Sequence, residues 1–261
     1  MSAWLPSAPC TPRACVTAAA GARAVPRAVL RLTAVTALLL AGIALSPLGG
    51  RVPACLVRRW CRALVRAAGV RVRITGAAPP GGGVLLVANH ISWLDIPLLA
   101  AVRPARMLAK TEIRRWPVAG PLAARDRLRA LPQTVARITA TLRAGAAVGV
   151  FPEGSTWCGR AQGEFRRAVF QAALDAGVPV QPVRLRYRLA DGSPGTAAAF
   201  VGDDPLLASL WRVASARHLV AEVDVRPLIP PGAYPDRRSL ARAAQPTRTP
   251  EPGWTHAALV A

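Results

Sequence analysis

Two short stretches of this 261-residue chain bring together residue types that could move a proton and hold a hydroxyl or an anion. The first is Asn89-His90-Ile91-Ser92-Trp93-Leu94-Asp95, which follows the apolar run Val84–Ala88. A histidine five residues before an aspartate, across a tight turn, can set an imidazole beside a carboxylate. The carboxylate would hold the Nδ1 proton and leave Nε2 as a base able to deprotonate a hydroxyl near neutral pH. Asp95 also fits a plainer role as a helix N-cap, alone or with Ser92 in a capping box. The second stretch is Phe151-Pro152-Glu153-Gly154-Ser155-Thr156-Trp157, again after an apolar run. Glu153 could orient a substrate hydroxyl or an arginine. The backbone N–H groups of Gly154 to Thr156 could cradle a phosphate or a developing oxyanion. A strand–turn–helix connection with a capping glutamate would use the same letters.

These turns need elements to hold them, and from residue 70 the sequence supplies an alternation of short β-rich and helical runs. Val70–Thr75, Val84–Ala88, Ala105–Ala109, Ala146–Phe151, Val178–Tyr187 and His218–Leu228 read as strands. Ile96–Val102, Leu131–Arg143 and Glu164–Ala176 read as helices, the last stopped by Gly177. That rhythm predicts an α/β domain over 70–232, with a mixed central sheet flanked by helices. Residues 233–261 read as a short helix and a loose tail.

Ahead of this domain the pattern is different. Residues 1–27 are rich in Ala, Pro and Arg and read as a disordered basic tail. Residues 28–69 read as a membrane-associated helical segment. Within it, Leu32 to Gly50 carries no charge, a length close to that of a bilayer-crossing helix. Arginines flank both ends, so loop charge sets no orientation, and a half-inserted hairpin fits as well as a span. A cleaved signal peptide with a small-residue site near Gly42-Ile43-Ala44 is the competing reading. In residues 54–68, Leu56, Trp60 and Leu64 share one helical face and Arg58, Arg59, Arg62 and Arg66 the other. That is the pattern of a helix lying on an anionic membrane surface.

The formal charge is +21, from 34 basic and 13 acidic residues, and Lys110 is the single lysine. So basic a chain implies an anionic neighbour. Nucleic acid is disfavoured because the arginines are scattered and no recognition motif is present. The five cysteines, Cys10, Cys15, Cys55, Cys61 and Cys158, match no zinc or redox spacing, and the three histidines lie far apart, so no metal centre is expected.

Taken in order, Asn89-His90-x4-Asp95, then Phe151-Pro152-Glu153-Gly154, then Val178-Pro179-x-x-Pro182, resemble the glycerolipid acyltransferases of the PlsC type, over roughly residues 50–240. The likeness includes Lys110, Glu112, Trp116-Pro117 and Gly120. The resemblance implies a catalytic pair His90 and Asp95, and an acceptor site using Glu153, Gly154, Ser155 and Lys110. It implies transfer of a fatty acyl group from a thioester, acyl-CoA or acyl carrier protein, onto the hydroxyl of 1-acyl-glycerol-3-phosphate, with no cofactor. The chemistry would take place at the cytoplasmic side of the plasma membrane. Members of the family usually carry a short Gly-x-Ile-Phe-Ile-x-Arg strand whose arginine is implicated in binding the acceptor phosphate. Here Gly120 to Ala130 is shorter and has no such run, which leaves Arg125 or Arg127 as counterparts. That departure keeps two other readings open: another acceptor such as lyso-ornithine lipid, or a lipid-binding relative without turnover.

Overall fold

The computed structural model describes residues 8–17, 24–45, 52–77, 81–108 and 131–246, with the side chains of 131–134 left aside. A six-stranded sheet runs through the centre in the order β1 (Arg71–Thr75), β6 (Val220–Val225), β5 (Val180–Arg188), β2 (Val84–Ala88), β4 (Ala147–Val150), β3 (Arg106–Met107). Among the described residues the β5–β6 pair is antiparallel and the other strand pairs are parallel, so the sheet is mixed as expected.

β2 is buried along its whole length, which a parallel strand requires when both faces are covered. Its side chains alternate between two cores. Val84, Leu86 and Ala88 face α3 (Ala54–Ala67), α4 (Asp95–Val102) and α7 (Leu206–Ser215) through Leu64, Leu98 and Val213. Leu85 and Val87 face α5 (Leu131–Arg143), α6 (Ala168–Ala176) and α8 (Arg237–Ala244) through Ile138, Phe170 and Leu240. Phe170 is fully buried and contributes about 2–3 kcal/mol of apolar burial. Gly177, with φ +63°, closes α6 as the sequence predicts.

Several boundaries differ from the sequence reading. The sixth strand is shorter than His218–Leu228 because His218 takes φ +57° in the turn before it. The helix expected from Glu164 begins at Ala168. Gln245 instead holds that entry as a loop, bonding to Phe165 N and Gly163 O. α7 had no counterpart in the sequence reading. The short helix expected after residue 233 is α8, with Leu240, Ala241 and Ala244 buried in the core; the tail expected beyond residue 246 lies outside the described residues.

The N-terminal segment is likewise built into the domain. Residues 8–17, expected to be disordered, form a short α1 (Pro12–Cys15) and bury Cys10 and Cys15. Thr17 bonds to Thr196 through both its backbone N–H and its hydroxyl. α2 (Ala24–Leu45) is long and apolar enough to cross a membrane, and only 11% of its most apolar window is buried. Arg27 and Arg31 in its first turns donate to the carbonyls of Ala214, Ser215 and Ala216 at the end of α7. Those carbonyls lack helical partners and carry the negative end of the helix dipole, so two guanidiniums there stabilise the junction. The far half of α2 packs on α3, where Trp60 Nε1 donates to Leu38 O. A Cβ on Gly42 would come within 2.6 Å of the Trp60 ring, so glycine permits that approach. α3 therefore spends Cys61, Leu64 and Val65 on the protein core, and the membrane-surface face expected for it is mostly covered; Leu56 alone of the expected row stays exposed.

Candidate active site

Both motif turns leave the same edge of the sheet, because β2 and β4 are adjacent and parallel. Residues after Ala88 and after Val150 therefore emerge side by side at the carboxyl ends of the strands, where α/β sheets form clefts. β5 runs parallel to β2 but continues past its end, and Asn89 bridges the gap. Its amide donates to Leu185 O and accepts from Leu185 N, reproducing one more rung of backbone pairing.

At the first turn, His90 Nδ1 lies 2.9 Å from Asp95 Oδ2. The same oxygen accepts the N–H groups of Ile91 and Ser92 at 2.6 and 2.8 Å, so Asp95 also shapes the turn. Oδ1 accepts the hydroxyl of Tyr187 at 2.6 Å. Burial, and then the Asp95 charge, hold the Tyr187 phenol well above its ordinary pKa, so it stays a donor. Asp95 is fully buried, whereas the His90 side chain keeps 20% exposure and faces the cleft. The imidazole stacks on Phe151, with ring centroids 4.0 Å apart and planes 8° from parallel. With Nδ1 tied to a carboxylate, Nε2 is the nitrogen offered to a substrate. Ser92 is buried, and its hydroxyl accepts Leu94 N, which suits the turn rather than a nucleophile.

The second turn grips the first. Glu153 Oε2 accepts His90 N at 2.7 Å and Oε1 accepts Gly163 N at 3.2 Å, while Trp157 N donates to His90 O at 2.8 Å. Burial pushes the Glu153 carboxyl up to about 8, against the pull of its two backbone donors. Both carboxylate oxygens of Glu153 are thus engaged in a backbone clamp, while the residue still lines the cleft. Gly154, with φ +74°, donates its N–H to Phe151 O, so that group is not free for an oxyanion. Ser155 Oγ is buried and has no hydrogen-bond partner among the described residues.

The cleft beside these turns encloses about 360 Å³. His90, Glu153, Arg160, Arg184, Arg186 and Arg188 are among the residues that line it. Arg186 and Arg188 share Glu222 at 3.4 and 3.5 Å. Burial, with Arg186 and Arg226 nearby, lowers the pKa of Arg184 from its ordinary value. A base and four guanidiniums lining one cleft suit a substrate with a reactive hydroxyl and an anionic group.

Residues 69–186 match the family described as Acyltransferase. The chain is 39% identical over 200 residues to a lyso-ornithine lipid O-acyltransferase of Pseudomonas aeruginosa, covering 73% of this chain and 75% of that one. The chain belongs to the acyltransferase family. It is also 39% identical over 150 residues to a 1-acyl-sn-glycerol-3-phosphate acyltransferase of Neisseria gonorrhoeae, covering 54% of this chain and 58% of that one. In three dimensions it resembles PlsC, the 1-acyl-sn-glycerophosphate acyltransferase of Thermotoga maritima, with a TM-score of 0.63 and 18% identity. That likeness covers 85% of this chain and 91% of the other, and it bears on the fold.

In this acyltransferase, His90, Asp95, Glu153, Gly154 and Ser155 gather at one edge as the spacing predicts. Lys110, Arg125 and Arg127 lie outside the described residues. The sequence reading missed Tyr187 and the cleft arginines of β5. Their signal was present in Val183-Arg184-Leu185-Arg186-Tyr187-Arg188, where arginines at every second position place one charged face on a strand.

Proposed function

We propose that the protein transfers a fatty acyl group from an acyl thioester, acyl-CoA or acyl carrier protein, to the free hydroxyl of a lyso-lipid whose headgroup carries a phosphate or carboxylate. His90 Nε2 takes the hydroxyl proton as the oxygen attacks the thioester carbonyl. Asp95 holds the imidazole in the reactive tautomer and stabilises the imidazolium. The proton passes to the departing thiolate as the tetrahedral intermediate collapses. No acyl-enzyme is needed. The observation that carries this reading is the 2.9 Å His90–Asp95 contact at an arginine-lined cleft.

For the acceptor, 1-acyl-glycerol-3-phosphate fits the cleft guanidiniums and the sequence motifs. Lyso-ornithine lipid is favoured by a separate observation: at equal identity, the likeness to the Pseudomonas aeruginosa enzyme spans 200 residues, against 150 for the Neisseria gonorrhoeae enzyme. Purified protein in detergent, given a radiolabelled acyl thioester and each acceptor in turn, tests both. Turnover is expected with one of the two and is lost on His90→Ala. Equal turnover by wild type and His90→Ala removes the base from this mechanism.

The reaction belongs at a membrane surface. Were α2 to cross a bilayer, α3, packed on its far half, would carry Arg58 and Arg59 into hydrocarbon, a costly placement. A hairpin of α2 and α3 dipping its tip into one leaflet avoids that cost. Exposed Leu40, Ile43, Leu45 and Leu56 sit toward that tip. We place the hairpin in the cytoplasmic leaflet, with the basic surface against anionic headgroups.

A further inference from the structure

Three of the five cysteines, which the sequence spacing left unconnected, meet in the interior. The sulfurs of Cys10, Cys15 and Cys158 all lie within 4.8 Å of one another, and each residue is no more than 2% exposed. None is in a disulfide. In a tetrahedral zinc site with bonds of about 2.3 Å, sulfurs sit roughly 3.8 Å apart, so this trio needs only small side-chain adjustments to close on an ion.

The trio is drawn from two distant stretches of the chain, Cys10 and Cys15 from the N-terminal segment and Cys158 from the loop after the second motif, so it is the tertiary fold that brings three thiols together in a buried setting.

We propose that Cys10, Cys15 and Cys158 bind a thiophilic metal ion, zinc(II), which staples the N-terminal segment to the loop after the second motif. Three sulfur ligands select soft or borderline ions. Of these, a divalent ion leaves less uncompensated charge in this buried setting than copper(I) does. Binding displaces three thiol protons to solvent. The staple acts close to the candidate site. Cys158 follows Trp157, which holds His90 O, and its loop leads to Gly163, which holds Glu153. The ion is thus a positioning element, acting through the loop that holds His90 O and Glu153.

The test needs no substrate, so it stands or falls apart from the acyl-transfer reading. Full-length protein, purified in detergent with reductant and without chelator, is expected to carry about one zinc per chain by elemental mass spectrometry. Stripped protein is expected to take up cobalt(II) with an intense near-ultraviolet sulfur-to-metal band. Cys10→Ser and Cys158→Ala lose the metal and the band, and Cys55→Ser, at an exposed thiol, keeps both. Should the first two variants fail to fold, zinc content and the cobalt spectrum of the wild type decide alone. Reduced wild type with neither zinc nor a cobalt band overturns the proposal. So does a Cys10–Cys158 disulfide in protein never exposed to chelator.

Discussion

Asp95 and Glu153 are both buried carboxylates at the carboxyl edge of one sheet, a few ångströms of backbone apart, and they have different work. Asp95 gathers an imidazole, a phenol and two backbone N–H groups, so its charge is met from every side. Glu153 meets two backbone N–H groups and no cation among its partners, and burial raises its pKa to about 8. The same functional group is a reactive-site orienter in one turn and a brace in the next. What separates them is the kind of partner each carboxylate holds, an imidazole and a phenol for Asp95 and backbone alone for Glu153.

The sharpest way to break that contrast is Asp95→Asn. An amide that holds the turn keeps its oxygen on Ile91 N, Ser92 N and Nδ1 but carries no charge to stabilise the imidazolium, so activity is expected to fall by roughly 10³–10⁴-fold with the circular dichroism spectrum unchanged. A loss below tenfold would move Asp95 to the role of a helix cap. Glu153→Gln comes next, with a fall of about 10–100-fold, because the clamp loosens while His90 keeps its carboxylate.

The same variant carries a pH test. A folded pKa near 8, above the ordinary 4.5, means the folded state holds the Glu153 proton more tightly. The stability from this group is complete below about 4.5 and is lost as pH rises through 8. Melting temperature should therefore decline across that window in wild type and decline less in Glu153→Gln. A parallel slope in both proteins would assign the raised pKa elsewhere. The smallest effect is expected from Tyr187→Phe. Loss of one hydrogen bond to Asp95 should cost about 1 kcal/mol, or three- to tenfold in kcat, with KM little changed.

The sequence was most legible where one local rule decided the outcome. Val84–Ala88 is apolar throughout and became the central strand at those bounds. Leu131–Arg143 shows clean helical spacing and formed a helix with the predicted limits. His90 and Asp95 could be paired because five residues across a turn is a local constraint. The rest depended on partners far along the chain. The backbone clamp made by Glu153 left no trace in the sequence, because nothing nearby reveals that His90 N lies in reach. Cys158 is more than 140 residues from Cys10 and Cys15. Only the sheet order, with β2 between β5 and β4, brings such groups together. The α3 stripe was read correctly as amphipathic, but periodicity does not say whether lipid or protein covers the apolar side.

β5 is gripped on both flanks, by the antiparallel ladder to β6 and by the Asn89 amide that prolongs its pairing with β2. Its residues alternate between guanidinium and apolar or phenolic groups, so the strand cannot creep by one position without exchanging its two faces. Such a slip would push an arginine, in place of Tyr187, under Asp95. The new cation would satisfy the carboxylate outright, and the imidazole would lose its claim on it. The fidelity of one strand's alignment thus guards the basicity of a side chain on its neighbour.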